Sequence, residues 1–153
     1  MFEPRDPDFE ARVRASFAAQ SAMKSLHIQL LSLKPGRVTM QLEKSGDLLQ
    51  QQGFMHGGVL TAGLDSACGF AALTLSAPSV EVLSIEFKTS FFRPVTTDKV
   101  QVIGRVIKAG KSVSFCEAEA LSIEDDNQIL LAKMSSSVAM VDMPEGWVPE
   151  NRS

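Results

Sequence analysis

A single acidic side chain stands out in the stretch from residue 50 to residue 77, because this stretch is otherwise free of charge. Between Asp47 and Glu81 the only carboxylate is Asp65, there is no lysine or arginine, and the only histidine is His56. An ionised carboxylate is costly to bury without partners, so Asp65 needs an explanation beyond packing. An aspartate can act as a general base or as a nucleophile. We therefore take Asp65 as the leading candidate for a catalytic residue.

The glycine pair Gly57-Gly58 is predicted to open a helix that runs from about residue 59 to residue 76. Apolar residues cover most of its circumference, which is typical of a helix buried in a core: Val59, Leu60, Leu64, Ala67, Phe70, Ala71 and Leu73. The first amides of a helix lack partners, and glycine lets a ligand oxygen approach the backbone closely. The N–H of Gly57 is therefore a candidate oxyanion donor, with Gly58 beside it in the substrate-binding set. His56 and Gln50 would orient the reacting carbonyl or water by hydrogen bonds.

The spacing of these residues limits what one chain can do. Nine helical positions from His56 to Asp65 span about 13 Å along the axis. Catalytic groups must lie within about 3 Å of the atoms on which they act. We therefore expect a site at a twofold interface, where Gln50, His56 and Gly57 of one copy face Asp65 of another. Such an interface would create two equivalent sites.

Simpler interpretations of the same residues remain open. The glycine pair could be a plain helix entry, and His56 a satisfied residue of the cap. Asp65 could be a structural acid bonded to a hydroxyl such as that of Thr61, four residues earlier on the same helical face. A transmembrane helix would need roughly 20 apolar residues. Small and polar residues dilute this stretch, and Asp65 at mid-span would cost about 2.5 to 3.5 kcal/mol, so we expect no membrane span.

The rest of the chain predicts an α+β fold, in which an antiparallel sheet wraps around the central helix and leaves its other face free. An extra N-terminal amphipathic helix is predicted from residue 8 to residue 25, with apolar side chains every four positions. Strands are predicted at residues 27–33, 37–42, 80–92, 100–108, 112–123 and 128–141. Strict alternation along the third strand places Ser84 on the same, more polar face as Glu86 and Lys88.

Length and composition restrict the class of protein. The 153 residues, 44% hydrophobic, fit one domain at residues 26–142, with an N-terminal extension at 1–25 and an irregular tail at 143–153 around Trp147. A net charge of −3 without a long basic run does not predict binding to nucleic acid. Two cysteines and two histidines lack the spacing of metal ligands, so we expect no metal and no cofactor. The N-terminus resembles neither a signal peptide nor a transit peptide, which predicts a cytoplasmic protein.

Several stretches together resemble the acyl-CoA thioesterases of the hotdog fold, in particular the PaaI-like group. They are Gln50-x5-His56-Gly57-Gly58 followed by Asp65 on the helix, residues 83–87 with Phe92-Arg93-Pro94, and residues 108–112. The resemblance covers about residues 26–142. It implies hydrolysis of a small, medium or aromatic acyl-CoA to the free acid and CoA by a homodimer that pairs further into a dimer of dimers. Ser84 matches a position where the family often carries a hydroxyl that assists the water.

The phosphates of coenzyme A need cations or N–H groups at the mouth of a site. The matching candidates are Arg93, Lys108, Lys111 and Ser112. The acyl group is expected to meet apolar or small residues, namely Leu49, Phe54, Met55, Ala62, Cys68 and Gly69. A non-catalytic acyl-CoA-binding module is one alternative, but binding alone does not need Asp65. A hotdog hydratase or dehydratase is the other, and its usual histidine motif is not found.

Overall fold

The computed structural model describes residues 1–124 and 127–144, with the side chain of residue 124 not included. Its helices are α1 Phe9–Ala19, α2 Ser21–Ser25 and α3 Gly57–Leu73, and a short 3-10 helix spans Gly46–Leu48. Its strands are β1 Ile28–Lys34, β2 Arg37–Glu43, β3 Val80–Phe91, β4 Lys99–Lys108, β5 Val113–Glu124 and β6 Asn127–Asp142. The tail around Trp147 and the tip of the β5–β6 loop lie outside the described residues.

The six strands form one antiparallel sheet in the order β1-β2-β4-β5-β6-β3, and α3 packs against it. Leu60, Leu64 and Leu73 of α3 are buried among sheet residues such as Met40 and Met134. The predicted arrangement of a sheet around a central apolar helix is confirmed. Within the described residues, no helix has both the length and the apolar character that a membrane span requires.

The sheet approaches the backbone of α3 most closely at Gly104 in β4. A Cβ atom added to Gly104 would lie 2.2 Å from the carbonyl oxygen of Ala67. No side chain can occupy that space unless the helix or the strand moves. Ala67 is two residues beyond Asp65. The contact at Gly104 therefore helps to set the distance between β4 and the part of α3 that carries Asp65.

The N-terminal helix predicted from residue 8 to residue 25 is two helices. Gln20 has extended backbone angles (φ −81°, ψ 101°) and separates α1 from α2. The apolar stripe predicted for α1 does pack on the core, because Val13 is fully buried and the ring of Phe17 lies 5.6 Å from that of Phe70. The prediction of a single helix is wrong. The sequence does not reveal the break at Gln20, because no proline or glycine stands there.

Strand β3 departs from strict alternation at Ile85. Ser84 pairs with Val138, whereas Glu86 pairs with the next residue of β6, so Ile85 is the extra residue of a β-bulge. The bulge turns Ser84 to the side of the buried Val138 and leaves Glu86 and Lys88 on the opposite face. The prediction that Ser84 shares their polar face is wrong, because strict alternation assumes an unbroken pleat.

Candidate active site

His56 begins α3 as its N-cap residue. Its Nδ1 atom accepts the N–H of Gly58 at 2.9 Å, and its carbonyl oxygen accepts the N–H of Val59 at 3.0 Å. The N–H of Gly57 has no acceptor within the ranges that the structure describes. The cap therefore satisfies the neighbouring amides and leaves one helix N-terminal donor open for a ligand.

A cavity of about 370 Å³ opens beside this donor. Gln50, Gly57 and Arg93 contribute polar groups to it, and Phe54 and Met55 are among its apolar lining residues. We call it the amide cavity. The structure therefore brings together three of the residues that the sequence assigned to catalysis or substrate binding.

Two of the polar side chains of the amide cavity are held by neighbours. The amide oxygen of Gln50 accepts the backbone N–H of Gln52, and its Nε2 atom donates to Oε1 of Gln52 at 3.1 Å. The Nη1 atom of Arg93 donates to the carbonyl oxygen of Leu130 at 3.0 Å, although Arg93 is exposed. Both side chains are thus oriented before any ligand binds.

Asp65 and Ser84 line a second cavity of about 330 Å³, which we call the carboxylate cavity. The Oγ atom of Ser84 donates a hydrogen bond of 2.6 Å to Oδ1 of Asp65. Gly69 and Phe70 of α3 also line this cavity. The hydroxyl that bonds Asp65 is therefore on β3, whereas the sequence suggested Thr61 on the same helix.

The two cavities share no lining residue, although both adjoin α3. Gly57 and Asp65 are eight positions apart on one continuous helix, which corresponds to about 12 Å along its axis. The open N–H of Gly57 and the carboxylate of Asp65 therefore cannot both reach the same atom of a ligand within one copy. The separation inferred from the sequence is present in the folded protein.

Three other candidates for binding coenzyme A lie apart from these cavities. Lys108 ends β4, and Lys111 and Ser112 follow in the turn before β5. All three are exposed, and none of them lines the amide or the carboxylate cavity. Their binding to a phosphate stays a prediction.

The residues expected to meet the acyl group are divided by the fold. Phe54 and Met55 line the amide cavity, and Gly69 lines the carboxylate cavity. Cys68 is fully buried in the core, so the expectation that it meets the acyl group is wrong. Its side of α3 faces the sheet, and burial raises the pKa of the Cys68 thiol well above its ordinary value, with smaller contributions from Cys116 and other neighbouring groups.

Sequence reasoning missed two polar residues of the carboxylate cavity, Ser16 and Gln20, which come from the N-terminal segment. Together with Arg12 they recur every four positions, so Arg12 and Ser16 share one face of α1 and Gln20 follows at its C-cap. A sequence signal therefore exists on this face. The polar repeat is less conspicuous than the apolar stripe through Val13 and Phe17, which indicates packing of α1 on the core.

The model of the Thioesterase superfamily matches residues 52–128, which is half of the chain and includes Gly57, Asp65 and Ser84. A solved structure of a thioesterase family protein from Silicibacter pomeroyi is 32% identical in sequence, with a TM-score of 0.85. The similarity covers 88% of this chain and 99% of that one.

Two further relatives have more distant sequences. The 1,4-dihydroxy-2-naphthoyl-CoA hydrolase of Listeria monocytogenes is 24% identical over 117 residues, which is 76% of this chain and 93% of that protein. The E. coli PaaI protein from the phenylacetic acid degradation operon is 17% identical, with a TM-score of 0.79 over 90% of this chain and 96% of that one, which shows a shared fold. The chain therefore belongs to the thioesterase superfamily and is a thioesterase of the hotdog fold, with PaaI among its structural neighbours.

Proposed function

We propose that the protein hydrolyses acyl-CoA thioesters, with small, medium or aromatic acyl groups, at sites formed between two copies of the chain. The observation that carries this proposal is the separation of the open N–H of Gly57 from the carboxylate of Asp65 in two different cavities. Each copy would then contribute its Gly57 N–H to one site and its Asp65 carboxylate to the other. The coenzyme A thioester named for the Listeria relative supports this class of substrate.

Strand β3 is the surface through which we propose that the copies pair. It is a 12-residue strand at the edge of the sheet, and Leu83 and Ile85 are 57% and 56% exposed. A long apolar edge strand presents unpaired backbone groups that readily bind another strand. A second copy of β3 would satisfy those groups and cover the apolar side chains.

The course of β3 explains why such pairing would complete a site. Its early residues Leu83 and Ser84 line the carboxylate cavity, and Phe91 at its end lines the amide cavity beside Gly57. A twofold axis pairs identical edge strands antiparallel, so the beginning of one strand lies near the end of the other. The carboxylate cavity of one copy would then adjoin the amide cavity of its partner. The further pairing of two dimers stays a prediction.

In the proposed reaction, the thioester carbonyl oxygen accepts the N–H of Gly57, and Gln50 and His56 orient the substrate. The partner subunit's Asp65 takes a proton from water, and the water oxygen attacks the carbonyl carbon. The N–H of Gly57 stabilises the resulting oxyanion. Its collapse breaks the C–S bond, and the proton passes from the carboxyl group to the leaving CoA sulfur.

The hydrogen bond from Ser84 is compatible with two roles for the carboxylate of Asp65, as a general base or as a nucleophile. This bond of 2.6 Å fixes the orientation of Asp65 and leaves Oδ2 free to act. In the alternative route, Asp65 attacks the carbonyl carbon directly, releases CoA and forms a mixed anhydride that water then hydrolyses. Both routes give the same products and need the same position of the carboxylate.

Arg93 is the cation that we propose for the phosphates of coenzyme A, because it lies at the rim of the amide cavity. Its Nη1 atom already donates to the carbonyl oxygen of Leu130, and this bond holds the guanidinium in place. A guanidinium of this kind can bind a phosphate through two parallel hydrogen bonds. Lys108, Lys111 and Ser112 of the β4–β5 turn are proposed as further phosphate-binding residues.

Thiol release from a panel of acyl-CoA thioesters tests the proposal. We expect the wild-type protein to release CoA, and we expect Asp65→Asn and Asp65→Ala to bind the thioester in calorimetry without releasing it. Asp98→Asn is the matched control, because Asp98 is an exposed acid outside both cavities. Binding by the wild-type protein without any thiol release would instead indicate an acyl-CoA-binding module.

A further inference from the structure

Asp6 and Arg12 form an enclosed ion pair in the N-terminal segment. Nε of Arg12 lies 2.8 Å from Oδ2 of Asp6, and the two side chains are only 19% and 7% exposed. Oδ1 of Asp6 also accepts the N–H of Asp8 at 2.9 Å, just before α1 begins. Enclosing two charges is costly unless further hydrogen bonds satisfy them, so the other partners of Arg12 are informative.

The guanidinium of Arg12 joins the end of α3 to the beginning of β3. Its Nη2 atom donates to the carbonyl oxygens of Leu73 and Ser76 at 3.3 and 3.0 Å and to Oγ of Ser76 at 2.7 Å. Its Nη1 atom donates to the carbonyl oxygen of Val80 at 3.1 Å. Carbonyls at a helix C-terminus lack helical partners and favour a cation. One side chain therefore bridges the end of α3 and the beginning of β3, where the hydroxyl of Ser76 also bonds the carbonyl oxygens of Leu73 and Val80.

The same two elements carry the acid and the hydroxyl of the carboxylate cavity. Asp65 lies about two helical turns before Leu73, and Ser84 lies four residues after Val80. Their hydrogen bond of 2.6 Å crosses the gap that Arg12 bridges. Such a bond is broken when the two atoms separate by about 1 Å more, so it depends on the spacing of α3 and β3.

Helix α1 also reaches the carboxylate cavity directly. Ser16, one turn beyond Arg12, lines it, and so does Gln20, the residue that caps the helix. The ring of Phe17 packs on that of Phe70 at a centroid distance of 5.6 Å, which docks α1 against α3. Arg12 of the ion pair, the ring of Phe17 and the cavity-lining Ser16 thus belong to one docked helix.

We propose that Asp6 and Arg12 are positioning residues of the active site. They fix the end of α3 against the beginning of β3 and thereby hold Asp65 and Ser84 at hydrogen-bonding distance. The inference rests on the proposed function of Asp65 and extends it by giving the N-terminal segment a role in turnover. Neutral side chains at these two positions would leave the spacing between α3 and β3 free to vary.

Steady-state kinetics of Arg12→Gln and Asp6→Asn give the first test, at temperatures well below their thermal unfolding. We expect kcat for thioester hydrolysis to fall about 10- to 100-fold, as small displacements of catalytic groups do, with a much smaller change in KM. Arg12→Lys keeps the charge without the planar fork and should recover part of kcat. The control is Arg14→Gln, since Arg14 pairs with Glu10 on the exposed side of α1 and should keep the wild-type kcat. A wild-type kcat in Arg12→Gln would overturn the inference.

A double-mutant cycle separates positioning from a general loss of stability. If Arg12 acts through the Ser84–Asp65 bond, Ser84→Ala should add little to the loss of kcat that Arg12→Gln already causes. If the double variant instead loses kcat by the product of the two single-variant factors, the inference is overturned.

Crystal structures of the wild type and of Arg12→Gln give a readout that does not depend on turnover. We expect the 2.6 Å hydrogen bond between Ser84 and Asp65 to be broken in Arg12→Gln, and an unchanged bond would contradict the inference. A wild type that shows no thioesterase activity, together with a broken bond in Arg12→Gln, would overturn the proposed function alone.

Discussion

Ser84 and Asp65 are joined by a hydrogen bond of 2.6 Å that runs from an edge strand to the central helix. Ser84 is exposed and Asp65 is half-buried, so the pair lies at a surface that a second copy of the chain can cover. The open N–H of Gly57 lies in a different cavity of the same chain. The two groups of the proposed mechanism, the N–H of Gly57 and the carboxylate of Asp65, therefore lie apart within one copy.

Gly57→Pro would remove the proposed oxyanion donor and little else. Proline is favoured at the first helical position, and His56 already has the extended angles (φ −62°, ψ 133°) that a residue before proline adopts. We expect thiol release to fall about 10²- to 10³-fold, with unchanged circular dichroism. Gly57→Ala keeps the N–H and brings its Cβ to an ordinary distance of 3.4 Å from the ring of Phe91, so its loss should be much smaller. Equal losses in the two variants would rule out this donor.

Ile85→Lys places a charge on the exposed edge strand, where pairing with a second copy would bury it. We expect this variant to be a monomer by size-exclusion chromatography with light scattering, and to release no thiol, because each copy would hold only half of the proposed site. Ile123→Lys is the matched control, since Ile123 is 52% exposed on a strand inside the sheet. A wild-type protein that is active as a strict monomer would contradict the interface.

Gly104→Ala should destabilise the fold by about 1 to 3 kcal/mol or more, because its Cβ would meet the helix backbone at Ala67. Urea unfolding followed by circular dichroism measures this loss in the free energy of unfolding. Gly46→Ala is the control, because an added Cβ there meets no atom within 4 Å. Similar free energies for both variants would show that the packing of β4 on α3 is looser than these distances indicate.

Buried thiols should make the protein less stable in alkaline solution. Burial raises the pKa of Cys116 from 9.0 to about 12 and raises the pKa of Cys68 further. Between about pH 9 and pH 12 the unfolded chain therefore ionises at these thiols while the folded protein stays protonated, so the free energy of unfolding falls as the pH rises. Replacing both cysteines with alanine should reduce this slope in urea unfolding between about pH 8 and pH 11. An identical slope in the variant would contradict the burial of these thiols.

Much of the fold could be predicted because local patterns mark it. Alternation and turn residues predict the ends of all six strands to within one residue, as expected where the period is regular. The helix entry at Gly57 was also predicted, because glycine and the following apolar run mark it. The confirmed capping by His56 is a local interaction of the same kind.

The remaining features depend on interactions that no local pattern contains. Neither isoleucine nor glutamine is a residue type that usually interrupts a strand or a helix. Strict periodicity therefore misses the bulge at Ile85, which changes the face of Ser84, and it misses the break at Gln20, where α1 ends. Arg12 reaches carbonyls more than 60 residues away, so its bridging role became visible only in the folded chain. The separation of Gly57 from Asp65, in contrast, follows from their spacing along α3 and could be predicted from the sequence.

Hybrid dimers of Gly57→Pro and Asp65→Ala test the shared site most directly. In a hybrid, one site would combine both defects, and the other would combine the intact Gly57 of one copy with the intact Asp65 of its partner. Random reassembly of the two inactive variants should therefore recover about a quarter of the wild-type thiol release per chain. If each site lies within one chain, every copy is defective, and thiol release from the mixture would stay at the level of the separate variants.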